Sequence, residues 1–353
     1  MPEDLSPTRL ADTGAPLTRI RWGVLGCGHI AGVFASDLAL LPEEAELVAA
    51  ASHTSAEKAE KFAADFGFAR GYGSFAELAA DPDIDVVYVA TPHNDHLSSA
   101  RLCLEAGKAV LIEKPMTVSE AEAIEVFDLA REANLFCMEA VWMRTNPLVR
   151  KAAALAAAGE IGEIRHVSAT FGFLFDGDDD HRLLNPDLAG GALLDLGVYP
   201  VHAVELYLGE PDEVVGVGSL ASTGVDAHLA AVLGFGAVDN RRPATATVVC
   251  TLEADVNNRL EVFGTNGRIE MDFLIKPDEV RVYRGHGQDA KPDVLVTELP
   301  GGGYTLQAQE VMRCLRSGEI ESPLVPWSAT LGSLRTLARW RTAALGPDTA
   351  GSS

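Results

Sequence analysis

The sequence predicts an α/β protein in two parts: an N-terminal doubly wound parallel sheet of the Rossmann kind, then a C-terminal α+β domain with a large open, mainly antiparallel sheet. Three observations point there. "GVLGCGHIAG" at residues 23–32 sets a G-x-G-x-x-A run between an apolar strand and a helical period. Short β-rich runs then alternate with helical periods as far as residue 140. Beyond it, strand-like stretches follow one another with few helices between them, the texture of antiparallel pairing.

Residues 1–19 mix Pro, Gly, Asp and Thr without an apolar period and read as a flexible leader. "IRWGVLG" from Ile20 is the first strand, after which Ile30, Val33, Phe34, Leu38 and Leu41 share one helical face. "ELVAAAS" is the second strand. A helix over Ala56–Phe66, a short strand near Phe68–Tyr72 and a capping box, "SFAE" at 74–77, come next. "DVVYVAT" is a strand; a helix over Leu97–Ala106 stops at Gly107; "AVLIE" is the strand after it. "SEAE" at 119–122 caps another helix and "LFCME" completes a dinucleotide-binding domain over 20–140. A second domain spans 141–345. It holds helices near Leu148–Ala158, Leu193–Leu208, Thr305–Ser317 and Ser328–Ala344, with strand-like stretches "RHVSATFGF", "EVVGVGSL", "AHLAAVLGF", "ATATVVCTLE", "RLEVFGTNGRIEMDF" and "EVRVYRG". Residues 346–353 read as a flexible tail.

Composition narrows the function. The 51 acidic residues against 28 basic give a net charge of −23, which repels a phosphate backbone or an anionic membrane. Nucleic acid and membrane are therefore not expected partners. No run reaches the roughly 20 apolar residues of a membrane helix, no secretory signal is apparent, and a cytoplasmic location is expected. The five cysteines at 27, 103, 137, 250 and 314 are scattered without CxxC spacing, as reduced packing residues are.

Five stretches carry chemistry. Gly26 and Gly28 let the chain turn tightly and bring a pyrophosphate to the helix N-terminus, where the N–H groups of His29 and Ile30 lie unpaired. The alternative is a glycine turn that serves packing alone. The second strand ends "AAASHTS", without the carboxylate that grips the ribose of NAD. Ser52, His53 and Thr54 offer donors to a 2′-phosphate instead, so NADP is preferred to NAD; solvated loop residues are the plainer reading. "TPHNDH" at 91–96 follows a strand at the sheet edge where ligands bind. Thr91, Pro92 and His96 are expected to line the cofactor cleft, and His93 with His96 lacks a third ligand, so no metal is expected. In "VLIEKPMTV", Pro115 keeps Lys114 extended where the strand emerges, beside the expected nicotinamide, with Glu113 next to it. A surface lysine before a turn is the alternative. Finally, "RLLNPDLAGGALLDLGVYPVHAVELYLG" puts Asp195, Tyr199 and His202 on one helical face beside Leu206, polar groups in a stripe that should be buried.

With "GCGHIAG", "EKP", "FCMEAVWMR" and "GGALLDLGVYPVH" in this order, the chain resembles the Gfo/Idh/MocA family of nicotinamide-dependent sugar oxidoreductases from Arg21 to about Leu345. Within the family, "GKAVLIEKPM", "LFCMEAVW" and "GGALLDLGVY" are most similar to the branch of dimeric trans-dihydrodiol dehydrogenase and NADP-dependent xylose dehydrogenase. The resemblance implies a Rossmann domain, an open-sheet domain commonly used to form a homodimer, and a sugar-like substrate. It places the family's lysine on Lys114 and the acidic and acid–base positions of D-x-G-x-H/Y on Asp195 and Tyr199. Arg144 and Arg182 match positions near the substrate cleft; His202 stands where many members have Asp or Asn. The implied reaction moves a hydride between nicotinamide and a hydroxyl-bearing carbon, Tyr199 taking the proton, Lys114 easing its loss and Asp195 orienting the group. Two other readings share the fold: a binding protein without turnover, and an enzyme using tightly held NAD to assist glycoside cleavage.

Overall fold

A computed structural model of the protein describes residues 19–237, 242–287 and 291–347. The leader and tail expected over 1–19 and 346–353 lie outside the described residues, apart from residue 19 and residues 346–347.

The chain forms two compact units. The first holds a six-stranded, all-parallel sheet in the order β3-β2-β1-β4-β5-β6, with β1 Ile20–Leu25, β2 Ala45–Ala51, β3 Arg70–Tyr72, β4 Val86–Val89, β5 Ala109–Glu113 and β6 Cys137–Ala140. Strands β4, β5 and β6 are buried at every residue, as a sheet covered on both faces requires. Helices α1 His29–Leu38, α2 Ala56–Phe66, α3 Phe75–Ala79, α4 His96–Glu105 and α5 Glu120–Ala133 connect the strands. The helix start expected at 74–77 forms with Ser74 as its cap: Ser74 Oγ accepts from the Glu77 N–H at 3.2 Å and donates to the Glu77 carboxylate at 3.0 Å.

The second unit contains α6 Pro147–Ala157, β7 Ile164–Gly172, the helical segment Leu193–Gly197 continuing into α7 Val198–Leu208, and strands β8 Glu213–Leu220, β9 Asp226–Phe235, β10 Ala244–Thr251, β11 Arg259–Gly264, β12 Gly267–Asp272, β13 Glu279–Arg284 and β14 Asp293–Val296. Its eight-stranded sheet runs β14-β13-β12-β11-β7-β10-β9-β8. All pairs are antiparallel except β7 with β10. Those two strands are not joined by a hairpin, so no tight turn sets their relative direction. The stretch "RLEVFGTNGRIEMDF" is a hairpin rather than one strand, turning at Thr265 and Asn266 between the paired Gly264 and Gly267.

One face of this sheet is packed. Helix α7 lies on β7 and β10, and Trp340 and Ala344 of α9 (Trp327–Leu345) lie against Gly216 of β8. The other face carries the row Val215, Val232, Thr247, Ser168, Glu261, Glu270, Arg281, Val294 across successive strands. At its β8–β9 end Val215 and Val217 are 60% and 69% exposed. Toward β11–β13, Glu270 takes ion pairs from Arg259 and Arg268 at 2.6 Å each.

Two features depart from the expected organisation. Pro300–Trp327, with helix α8 Thr305–Ser317, belongs to the first unit and not the second. The buried Asp37 carboxylate of α1 accepts from the N–H groups of Gly302 and Tyr304 at 2.6 and 2.7 Å and so fixes the returning segment. The helix expected over 193–208 opens with a wide π turn, Leu193–Gly197. Pro200 has no N–H for the carbonyl four residues before it, and the chain widens there instead of keeping the α register.

Candidate functional site

In the first unit the residues singled out by sequence gather at the carboxyl ends of β1, β2, β4 and β5. Gly26 follows β1 at φ +91°, and a Cβ on it would stand 2.5 Å from the Ala90 carbonyl oxygen, so only glycine fits. Gly28 caps α1 in an extended conformation, without any side-chain cap. A Cβ built on Gly28 meets nothing within 4 Å. The exposed His29 and half-exposed Ile30 follow it. A helix start of ten residues with unclaimed N–H groups and open space before them fits a dinucleotide pyrophosphate.

After β2, Ser52 is buried, accepting from the Thr54 N–H at 3.3 Å and sharing a 2.9 Å hydrogen bond with the Thr54 hydroxyl. This turns His53 outward, its ring edge-on to Phe75 at 5.1 Å. Lys58, exposed on the first turn of α2, was not anticipated from sequence. Burial pushes the Cys27 thiol up to about 11, and the Lys58 charge pulls it the other way.

The loops after β4 and β5 are tied together by His96. Its ring is 0% exposed, with Nδ1 3.0 Å from the Pro115 carbonyl oxygen and Nε2 3.0 Å from that of Thr91. Burial pushes its pKa down against the pull of these carbonyls. His96 thus lies between the two loops and offers no exposed nitrogen. Thr91 is buried, Pro92 half-buried, and His93 lies 5.7 Å from His96, ring to ring. Glu113 is buried; its carboxylate accepts from the Tyr88 hydroxyl and, at 3.1 Å, from the Lys114 backbone N–H. Lys114 itself is half-buried, and its peptide bond to Pro115 is cis.

The second unit brings together Arg144, Arg182, Asp195, Tyr199 and His202. Tyr199 is 5% exposed; the Trp142 indole N–H donates to its oxygen at 3.0 Å, and Phe171 packs edge-on at 5.3 Å. With that lone pair taken by a donor, the phenol's own proton is directed to another atom. Two residues along the same turn, Arg144 Nη1 lies 3.3 Å from His202 Nδ1, both side chains buried. An arginine can only donate, so this nitrogen of His202 accepts. Asp195 is buried and Arg182 Nη1 pairs with its Oδ1 at 3.0 Å. The arginine is 54% exposed. Such a pair contributes only about 0–1 kcal/mol, so it orients the carboxylate more than it stabilises the fold. Trp142 was quoted in the sequence without a role; a buried indole needs an acceptor, and that requirement was the available signal.

Comparison with known proteins places the chain in a family. Residues 20–141 match the model of the oxidoreductase family with an NAD-binding Rossmann fold, and residues 149–270 match the Gfo/Idh/MocA C-terminal domain. The chain is 37% identical to D-xylose 1-dehydrogenase (NADP(+)) of Hypocrea jecorina over 92% of each protein. It is 36% identical to trans-1,2-dihydrobenzene-1,2-diol dehydrogenase of Mus musculus, covering 87% of this chain and 91% of that protein. Among solved structures, a 3-ketoreductase from Actinomadura kijaniata in complex with NADP superposes with a TM-score of 0.78 at 29% identity, over 92% of this chain and 98% of the other.

The open space at Gly28 leads to a discriminating prediction. Gly28→Val is expected to leave unfolding free energy within about 1 kcal/mol of wild type, since nothing is displaced, while lowering dinucleotide affinity at least about tenfold by filling the anion's place. Urea denaturation and titration of reduced-nicotinamide fluorescence measure the two halves. Gly26→Val, against the Ala90 carbonyl, should fail on stability instead.

Proposed function

The chain belongs to the Gfo/Idh/MocA family of oxidoreductases, with a Rossmann domain that binds NAD(P), and from this premise we propose that it oxidises a CH–OH group of an aldose, polyol or dihydrodiol, or runs the reverse reduction. The observation that carries the reading is the buried Tyr199, whose oxygen receives the Trp142 N–H beside the Arg182–Asp195 pair. A phenol so placed suits proton exchange with a substrate hydroxyl. The nicotinamide supplies the redox chemistry when bound. On this reading Tyr199 reacts as the phenolate, taking the hydroxyl proton in the oxidation and returning it as the phenol in the reverse reduction, the Lys114 ammonium steadies the substrate oxygen as negative charge develops on it, and Asp195 holds the arrangement with Arg182. Arg144 acts through His202. Lys114, Asp195 and Tyr199 occurring in one chain favour an enzyme over a binding protein of the same fold. Measuring NADP reduction against a panel of aldoses, inositols and dihydrodiols tests the activity, and release of free NADPH separates it from transient oxidation during glycoside cleavage.

NADP is the cofactor this reading prefers. The relative named above carries NADP(+) in its name, and the end of β2 offers His53 outward, with the exposed Lys58 on the first turn of α2 and no carboxylate at 52–54. Self-association through the uncovered sheet face fits its exposed valines. No helix among the described residues is long and apolar enough to cross a membrane. The five cysteines, all without disulfides, suit a cytoplasmic location.

Lys114→Ala and Tyr199→Phe are each expected to lower kcat by about 10²–10⁴ with dinucleotide binding nearly unchanged; near wild-type kcat in either variant removes that residue from the scheme. Wild-type kcat/KM should favour NADP over NAD by about 10- to 100-fold, and His53→Asp should move the ratio toward NAD without altering which sugar reacts. Equal use of both cofactors would overturn the assignment of the β2 loop. In sedimentation at micromolar concentration the protein should run at twice its 37.4 kDa chain mass, and Val217→Asp should return it to the single chain. A wild type that sediments only as the single chain rules out this interface.

A further inference from the structure

The helix that carries Asp195 and Tyr199 begins without any side chain of its own to cap it. Gly190 and Gly191 precede it, and Gly191 sits at φ +127°. Its first N–H groups are met from another element. Asp226, the first residue of β9, is 6% exposed and its Oδ2 accepts from the Leu193 N–H at 2.6 Å. The Ala192 N–H acts on the same carboxylate, as does the Asp226 N–H, and the charge of Arg341 is felt there too. The fit is close: a Cβ on Gly191 would stand 2.6 Å from Asp226 Oδ1. Burial pushes this carboxyl's pKa up against the pull of the Leu193 N–H.

A serine or aspartate at the helix's own first position would satisfy these groups more simply. It would also tie the helix to the loop before it. Asp226 ties it to a strand hydrogen-bonded on both sides, to β8 and to β10. Asp195 is two residues beyond Leu193 and Tyr199 one turn further, so the height and rotation of both side chains are referred to the sheet.

Resting on the reading of Tyr199 and Asp195 as the acting groups, we propose that Asp226 is a positioning residue for them: its carboxylate anchors the start of their helix to β9 and so sets where they stand against the substrate.

Asp226→Ala should lower kcat by about 10- to 100-fold, the penalty of a small misplacement, with dinucleotide affinity unchanged. Hydrogen exchange in residues 191–198 should speed by at least about tenfold while β10 keeps its protection. Asp226→Asn retains an oxygen that can accept the Leu193 N–H and should stay within about threefold of wild-type kcat, since geometry is preserved. A merely structural aspartate would lower melting temperature and leave kcat per folded molecule alone. If Asp226→Ala does not accumulate folded, Asp226→Ser, with its acceptor one atom shorter, takes its place with the same expected losses. Wild-type kcat and exchange in the truncated variant, or equal impairment in Asp226→Asn, overturns the proposal. Tyr199→Phe run alongside keeps the two ideas apart: full turnover there overturns the reading of the site, and the exchange data still judge the anchor.

Discussion

Every α-helix leaves N–H groups at its start that no turn of its own can satisfy, and this chain meets that constraint in opposite ways at two places. At α1 the cap is Gly28, no side chain reaches the free N–H groups, and the space before them is open. The helix end is left able to take an anion. At Leu193 the glycines again remove the local cap, but a buried carboxylate from β9 fills the space. There the helix end is closed to ligands and fixed in place. One start is open to an anion; the other, as proposed above, holds side chains steady.

What fixes the Tyr199 face of α7 is a set of buried hydrogen bonds more than surface charge. Trp142 and Arg144, two residues apart in one short turn, hold Tyr199 and His202, three residues apart on the helix. Thr145 locks that turn by donating its hydroxyl to the Trp142 carbonyl oxygen at 2.7 Å. Leaving a buried polar atom of this kind unpaired costs about 1–3 kcal/mol. The half-exposed Arg182–Asp195 pair is worth less than that, so the turn at 142–145 has the larger hold on the helix.

Much of this was legible in the sequence because it depends on neighbours along the chain. The cap at Ser74, the helix stop at Gly107 and the glycines after β1 are local rules, and the structure follows them. The parts that were not legible depend on residues far apart. Nothing near Trp142 says that its indole meets Tyr199, nothing near Gly191 names Asp226, and the parallel pairing of β7 with β10 joins strands separated by two others in sequence. The π turn at Leu193 is intermediate. Pro200 announces a missing donor, but an α period fitted to apolar positions conceals it.

The return of Pro300–Trp327 to the first unit makes that unit discontinuous in the chain. Asp37 receives its two backbone donors from residues more than 260 positions later. During synthesis the Rossmann sheet can be assembled from its own strands long before these donors leave the ribosome, but α1 cannot be finished until nearly the whole protein has emerged. A graft that exchanges one second unit for another must therefore cut the chain before Val141, after Leu299 and again after Trp327, so that Pro300–Trp327 stays with its own Rossmann half while the rest of α9 goes with the sheet it packs on.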